Sequence, residues 1–398
     1  MAPAHLPPAP AFAALRLSLF YVAFFLVVGV LMPFWPLWLE AKGLDAAEIG
    51  VVLALGPWVR VVGNPLIAHL ADRRGETRRP LILLALASLA SFSLFAFAEG
   101  FWTLFGVAAL SGLWLSAIMP LGDGLTLRLA LARRLDYGRV RLCGSLAFVV
   151  AASLGGWALA GRPPDRILDL LLVGLALTAA AALALPEWRR PAAAPLAVGV
   201  LGLLADRRMI LFLAAASLIQ GSHSVLYGFG TLHWQAAGHS KDVVGWLWAE
   251  AVIAEVLLFA AGAAALRRLG AARLLALAGI AGLTRWTLAG LSTDLPVLAA
   301  VQLLHGLTFG AAHLAAMDFL ARAVPPGLAV TAQGLYAATA TGAAFGATML
   351  LAGTLYAAFA GGAFFAMAAL ALVGAAIAAS LARRRPPTEG DSDDRQAA

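Results

Sequence analysis

The chain has 398 residues, of which 62% are hydrophobic and only 12% charged, about half the charged share of a soluble domain, roughly 25%. Its apolar residues gather in long unbroken runs, which excludes a water-soluble fold, and no ten-residue apolar–polar alternation suggests a membrane barrel. A net charge of +7 would suit nucleic acid, but the placement of the basic residues points to membrane topology instead.

A bilayer core about 30 Å thick needs roughly 20 helical residues, and a helix satisfies its backbone polar groups internally, as lipid demands. Residues 1–14 are rich in Ala and Pro and read as a short disordered arm. Span 1, Leu17–Leu39, carries Pro33 and Pro36. It is too long for a signal-peptide core and lacks a small-residue cleavage site behind it, so it reads as a retained helix. Span 2, Ile49–Leu70, holds Gly56-Pro57, Arg60 and Asn64, and span 3 is Pro80–Ala98. Span 4, Phe101–Leu127, holds Pro120 and Asp123; span 5, Val140–Leu159, begins beside Arg139 and Arg141; span 6 is Ile167–Leu185. A Pro- and Arg-rich connection, 186–208, follows. Its apolar piece Leu196–Ala205 is too short to span and reads as an interfacial helix. Span 7, Met209–Trp234, carries Gln220, His223, Tyr227 and Trp234; span 8, Val243–Leu266, carries Glu250 and Glu255; span 9, Arg273–Leu291, carries Arg285. Span 10, Pro296–Leu320, holds His305, His313 and the close-packing pair Gly306 and Gly310. Span 11, Val330–Tyr356, and span 12, Ala363–Leu381, complete the series before a charged tail, 382–398, read as disordered and cytoplasmic.

The predicted fold is therefore all-α. Residues 1–185 form one six-helix bundle, 186–208 a cytoplasmic linker and 209–381 a second bundle. Two pseudo-symmetric six-helix halves around a midplane site are the layout of the major facilitator fold. With both termini cytoplasmic, 22 of the 28 Lys and Arg residues fall in cytoplasmic segments. Lys42, Arg162, Arg166 and Lys241 lie opposite, and Arg60 and Arg285 lie within spans. That asymmetry follows the positive-inside rule and predicts a multi-pass inner-membrane protein.

A charge at mid-bilayer costs roughly 2.5–3.5 kcal/mol on insertion scales, so each one is a functional candidate. Gln220, His223, Tyr227 and Trp234 sit at helical offsets that predict one polar stripe on span 7. Arg60 and Asn64 are one turn apart, and His305 and His313 about two turns apart. Glu255, Arg285 and a span-10 histidine place a carboxylate, a guanidinium and an imidazole on three adjacent spans, a set suited to proton coupling. The same groups would equally serve as a static buried ion pair. Asp123 and Arg141 face each other across the span 4–5 loop, as a polar clamp or as an end-of-helix salt bridge. Cys143 is the one cysteine, which excludes an internal disulfide and a cysteine metal cage. No HExxH, GxSxG or phosphate-loop pattern is present, so neither an enzyme, a cofactor nor a metal is predicted.

Several stretches carry a resemblance: PFWPLWL at 33–39, PLGDGL at 120–125, DYGRVRLCGSLAFV at 136–149, QGSHSVLYGFG and HWQAAG within 220–238, AEVLLFA at 254–260, TRW at 284–286, and VQLLHG with HLAAM within 301–317. Through them the chain resembles the phenylpropionate permease family of the major facilitator superfamily, related to the lactose permease. The resemblance implies a twelve-helix cation symporter importing a small organic solute. It also implies that Asp123 and Arg141 contact substrate, and that Glu255, Arg285 and a span-10 histidine form the coupling set; the lactose permease's span-10 glutamate has no counterpart. The superfamily loop signature after span 2 survives partly, with Asp72, Arg73 and Gly75 retained, as a candidate conformational latch.

These readings converge on a proton-coupled importer of a small organic anion, an aromatic carboxylate foremost. Arg60 or Arg141 would hold the carboxylate, Phe24, Tyr227 and Trp234 would offer ring surface, and Glu255 would carry the proton. The alternatives are a sugar or nucleoside symporter, a non-transporting sensor, and an intramembrane enzyme. The expected partners are a small-molecule substrate, protons and the lipid bilayer, with no nucleic acid, for a chain acting as a monomer.

Overall fold

The computed structural model describes residues 12–74, 76–133, 135–187, 200–324 and 328–383. Every element among them is helical. Six helices, α1 (Ala13–Ala41), α2 (Ala46–Arg74), α3 (Arg78–Ser93), α4 (Phe101–Arg133), α5 (Tyr137–Leu159) and α6 (Asp165–Ala184), form the first half. After the short helix α7 (Val200–Ala205), the second half runs through α8 (Arg207–Gly221), α9 (Thr231–Ala236), α10 (Lys241–Leu269), α11 (Ala271–Leu291), α12 (Leu295–Leu303), α13 (Ala312–Ala323), α14 (Ala329–Tyr336), α15 (Phe345–Phe359) and α16 (Ala363–Arg383).

Eleven helical stretches among the described residues are long and apolar enough to cross a membrane, the last being 53 residues, Thr331–Arg383. At ~1.5 Å per residue, that stretch would be more than twice the thickness of the hydrocarbon core. It is broken at Ala360, whose φ of 47° is incompatible with a continuing right-handed helix. The break separates two crossings, which makes twelve among the described residues. The short α7 falls within the predicted interfacial helix, whose residues 196–199 lie outside the described residues, as do residues 1–11 and 384–398 of the predicted arm and tail. Helices α1, α2 and α4 run continuously through their internal prolines, Pro33 and Pro36, Pro57 and Pro65, and Pro120.

Three crossings of the second half depart from regular α geometry, and no hydrophobic pattern signalled it. Segments Leu226–Gly230, Gly306–Ala311 and Ala337–Ala344 are π-helical. They join α8 to α9, α12 to α13 and α14 to α15. A π turn inserts an extra residue and rotates the remainder of the helix by about 100°. Such turns are frequent at functional sites.

Within the first half, α1 packs on α5 and α6, and α2 and α3 on α4. Within the second, α16 packs on α8 and α11, and α10 on the π segment Gly306–Ala311. The halves meet along α5 with α10 and α2 with α15. Glycine makes both meetings possible. A Cβ on Gly50 would stand 2.7 Å from Gly353 Cα, and one on Gly245 would collide with the Ala152 carbonyl oxygen. These contacts sit toward the face that carries Lys42, Arg162, Arg166 and Lys241. There Lys42 pairs with Asp165 at 3.2 Å, and Lys241 Nζ donates to the Arg162 carbonyl at 3.0 Å, linking the halves. The two halves are sealed at this sparsely basic face. Gly245→Val is expected to pry α5 from α10, an overpacking that costs about 1–3 kcal/mol and lowers the thermal midpoint by several degrees. Thermal melts of wild type and variant in detergent check it. The Gly306 and Gly310 pair packs on α10, against the Ala254 carbonyl and Leu258.

Candidate functional site

A cavity of about 200 Å³ lies between the halves. From the first half it is lined by Phe25, Val28 and Met32 of α1 and Arg141, Ser145 and Phe148 of α5. From the second half it takes Leu226 and Tyr227, then Trp248, Ala251, Val252 and Glu255 of α10, and Gln302, His305 and Phe309. Aromatic walls with a few polar groups are the usual composition of a small-molecule site.

On the first-half wall, Asp123 of α4 and Arg141 of α5 come together, as their spacing predicts, with Arg141 Nε 3.9 Å from Asp123 Oδ1. The same oxygen accepts from Tyr21 Oη at 2.5 Å and from Tyr137 Oη at 3.3 Å. The Arg141 guanidinium lies 4.4 Å from the Phe25 ring centroid and 5.6 Å from that of Tyr21, within cation–π range. Asp123 and the tyrosines thus hold the Nε side of Arg141. Its two terminal nitrogens carry no hydrogen bond among the described residues, and the side chain remains one-third exposed, at 33%. This is a guanidinium fork presented to the cavity, the geometry that grips a carboxylate bidentately.

On the second-half wall, Arg285 of α11 is fully buried, 0% exposed. Its Nη1 donates to His305 Nδ1 at 3.0 Å and to Thr308 Oγ1 at 2.8 Å, and its Nη2 to Gln302 Oε1 at 2.8 Å. Gln302 in turn donates from Nε2 to the Leu247 carbonyl of α10 at 3.0 Å. Arginine has no acceptor, so His305 Nδ1 must be the bare nitrogen and Nε2 must carry the proton. That Nε2 points at Glu255 Oε2, 3.7 Å away. His305 is therefore neutral in this arrangement, its tautomer assigned from its partner. His223 Nδ1 donates to the Ile219 carbonyl at 3.1 Å, and its Nε2 shares a hydrogen bond with the Thr308 hydroxyl at 3.1 Å. Glu255 does not touch Arg285 directly; His305 stands between them.

The remaining residues singled out in the sequence are placed elsewhere. Arg60 is exposed on α2 and does not line the cavity. Asn64 ties α2 to α4, accepting from Ser116 Oγ at 3.0 Å. Gln220 is buried against Tyr336, to whose hydroxyl it donates at 3.4 Å. The predicted stripe on span 7 forms only in part: the His223 and Tyr227 rings stay neighbours, centroids 5.7 Å apart. The helix is interrupted after Gly221 and carries a π turn at Leu226–Gly230, and Trp234 beyond it is buried in the apolar core and off the cavity lining. Phe24 is buried within the first half, and its neighbour Phe25 takes the place at the cavity. His313 sits beside Phe259, ring centroids 6.2 Å apart, and is not part of the lining. Glu250 is half-buried and also off the lining. Arg73 is exposed, while Gly75 and the Asp72 side chain lie outside the described residues.

Sequence reasoning passed over Tyr21, Phe25, Tyr137, Trp248, Gln302 and Thr308. Tyr137 and Gln302 lie inside the stretches DYGRVRLCGSLAFV and VQLLHG that carry the resemblance, and that was their only signal. The others are neutral residues of types common in membrane helices.

Comparison with known proteins adds to this geometry. The MFS_1 like family matches residues 14–367. A probable 3-phenylpropionic acid transporter of Escherichia coli is 36% identical over 365 residues, spanning 89% of this chain and 94% of that protein. The chain belongs to the MFS_1-like family. It is an MFS-type transporter and not an enzyme. A maltose permease of Geobacillus stearothermophilus is 32% identical over 334 residues, 81% of this chain and 83% of that protein. Among solved structures, the nucleoside transporter NupG superposes with a TM-score of 0.79 at 17% identity, covering 94% of this chain and 100% of the other. That likeness speaks for the MFS fold alone. In this MFS transporter the cavity is lined by helices of both halves.

Proposed function

We propose that this chain is a proton-coupled symporter importing a small organic anion, an aromatic carboxylate of the 3-phenylpropionate kind. The observation that carries the reading is a single cavity lined by both the open fork of Arg141 and the carboxylate of Glu255. Arg141 holds the substrate carboxylate, and Asp123, Tyr21 and Tyr137 orient Arg141. Phe25, Phe148, Tyr227, Trp248 and Phe309 supply ring surface for the aromatic end, where edge and offset contacts are favoured. Glu255 carries the proton, with His305 and Arg285 as its fixed neighbours. His223, Gln220 and Asn64 serve as supports for this wall and for α2 and α4, and Arg60, Trp234 and His313 are assigned no contact with substrate.

The reading extends to the membrane. Both termini are cytoplasmic in the inner membrane, so the sealed, sparsely basic face is the outer one and the conformation is inward-facing. Residues 1–185 and 209–381 rock about the cavity as a monomer in the lipid bilayer, joined by 186–208, with no nucleic-acid partner.

Glu255→Gln tests the division of labour. Exchange of labelled 3-phenylpropionate across liposomes at equal pH should persist, while accumulation driven by a pH gradient should fall to the level of protein-free liposomes. A variant that still accumulates would remove Glu255 from the coupling role. The rival reading, a sugar or nucleoside symporter, draws on the ability of Asp123 and Arg141 to bond hydroxyls. Its weakness is that Asp123 Oδ1 already accepts from two phenols. Uptake of labelled 3-phenylpropionate, maltose and a nucleoside under one pH gradient separates the two readings.

A further inference from the structure

Resting on the carboxylate reading, we infer from the charges at the cavity, Arg141 and Glu255 on its lining and Asp123 and Arg285 behind them, that transport is electroneutral, with one proton accompanying each monocarboxylate. Two cations and two carboxylates belong to the site. Arg141 is beside Asp123 at 3.9 Å, and Arg285 is linked to Glu255 through neutral His305, at 3.0 and 3.7 Å. The empty cavity is therefore charge-balanced. A substrate anion arriving at the Arg141 fork adds one uncompensated negative charge in a low-dielectric space shared with Glu255. One proton restores the balance.

The structure also indicates which carboxylate takes that proton. Protonating Asp123 would weaken two phenol hydrogen bonds and an ion pair. Protonating Glu255 gives up a single contact of 3.7 Å with His305. His305 is barred from becoming doubly protonated while its Nδ1 accepts from Arg285. Around Glu255, Arg141 comes from α5, Tyr227 from the π turn after α8, Arg285 from α11, and His305 and His313 from either side of the π segment Gly306–Ala311. Of these, His313 alone is an imidazole without a bonded partner among the described residues, and an assay above pH 7 keeps an ordinary imidazole neutral. Arg60 and Glu250 are both off the lining and do not meet the substrate anion.

The cycle balances. On the outer side the anion binds Arg141 and a proton binds Glu255. On the inner side both leave. The loaded and empty carriers have equal charge, so neither crossing moves charge through the membrane field.

The experiment uses purified protein in liposomes and labelled 3-phenylpropionate at pH 7.5, with protein-free liposomes subtracted for permeation of the free acid. A pH gradient, acid outside, with the potential clamped to zero should raise the initial rate of uptake above the protein-free rate, toward a limit of about tenfold accumulation per pH unit. Potassium diffusion potentials of either sign at equal pH should drive none. Accumulation under inside-negative potential would mean more than one proton per anion, and under inside-positive potential an unaccompanied anion. Either result overturns the inference while leaving the carboxylate reading in place. Failure of labelled-for-unlabelled exchange at equal pH would instead overturn the carboxylate reading, and this inference with it. Glu255→Gln supplies the second arm. With the proton site gone, one bare anion should move per cycle, so inside-positive potential should now drive uptake and the pH gradient should not. A variant that retains pH-driven, potential-insensitive uptake would contradict the inference. If the variant does not fold, the wild-type arms decide alone.

Discussion

Arg141→Ala is expected to lower the affinity for 3-phenylpropionate by about a hundredfold or more, since it removes a bidentate charge-assisted grip, and each such bond contributes roughly 1.5–3 kcal/mol. The variant should still fold. Asp123 keeps its two phenol donors, Tyr21 and Tyr137, and the arginine is one-third exposed rather than sealed in. Arg141→Lys should fall between wild type and alanine, because lysine keeps the charge but loses both the planar fork and the stacking on Phe25. Binding measured by calorimetry, or the half-saturation of exchange, checks both variants. An Arg141→Ala protein that bound the acid as tightly as wild type would place the carboxylate elsewhere.

Arg285→Ala should behave in the opposite way, with its main effect on the fold. Arg285 is wholly buried and satisfies acceptors on His305, Thr308 and Gln302. Through Gln302 it braces α10 as well. Removing it leaves buried acceptors on His305, Thr308 and Gln302 without their donor, at about 1–3 kcal/mol each. The thermal midpoint in detergent should fall by roughly 5–10 °C. His305→Ala in the same background should add far less than it costs alone, because the two residues share one network. Equal, additive losses would show that the network is not cooperative. Of these two arginines, one presents its fork to a cavity and the other is tied off inside the protein.

The crossings were legible because lipid imposes length and apolarity on every one of them, and no soluble or barrel pattern satisfies both. The pairing of Asp123 with Arg141 was legible too, since an antiparallel pair joined by a short loop brings positions at similar depth together. Trp234 was not. Its placement on the stripe of Tyr227 assumed a regular 3.6-residue period, and the π turn at Leu226–Gly230 breaks that period without any composition signal. The same holds for the relation of Glu255 to Arg285. Opposite charges on neighbouring spans predict a direct pair, but Gln302 and Thr308 take the guanidinium, and His305 comes between it and the acid. Neutral hydrogen-bonding side chains in an apolar run leave no mark in a hydropathy profile, so the partners of a buried charge are the part of a site the sequence conceals. Arg60 shows the converse, since a charge within a span invites a role at the cavity, yet the structure turns it away from the lining.

The central claim is that substrate and proton move inward together through the cavity shared by Arg141 and Glu255. Liposomes containing the protein and an internal pH dye test it most directly. On adding external 3-phenylpropionate at pH 7.5, the lumen should acidify faster than in protein-free liposomes, and the excess should vanish with Arg141→Ala. Uptake of label with no excess acidification, or with alkalinisation of the lumen, would contradict the account.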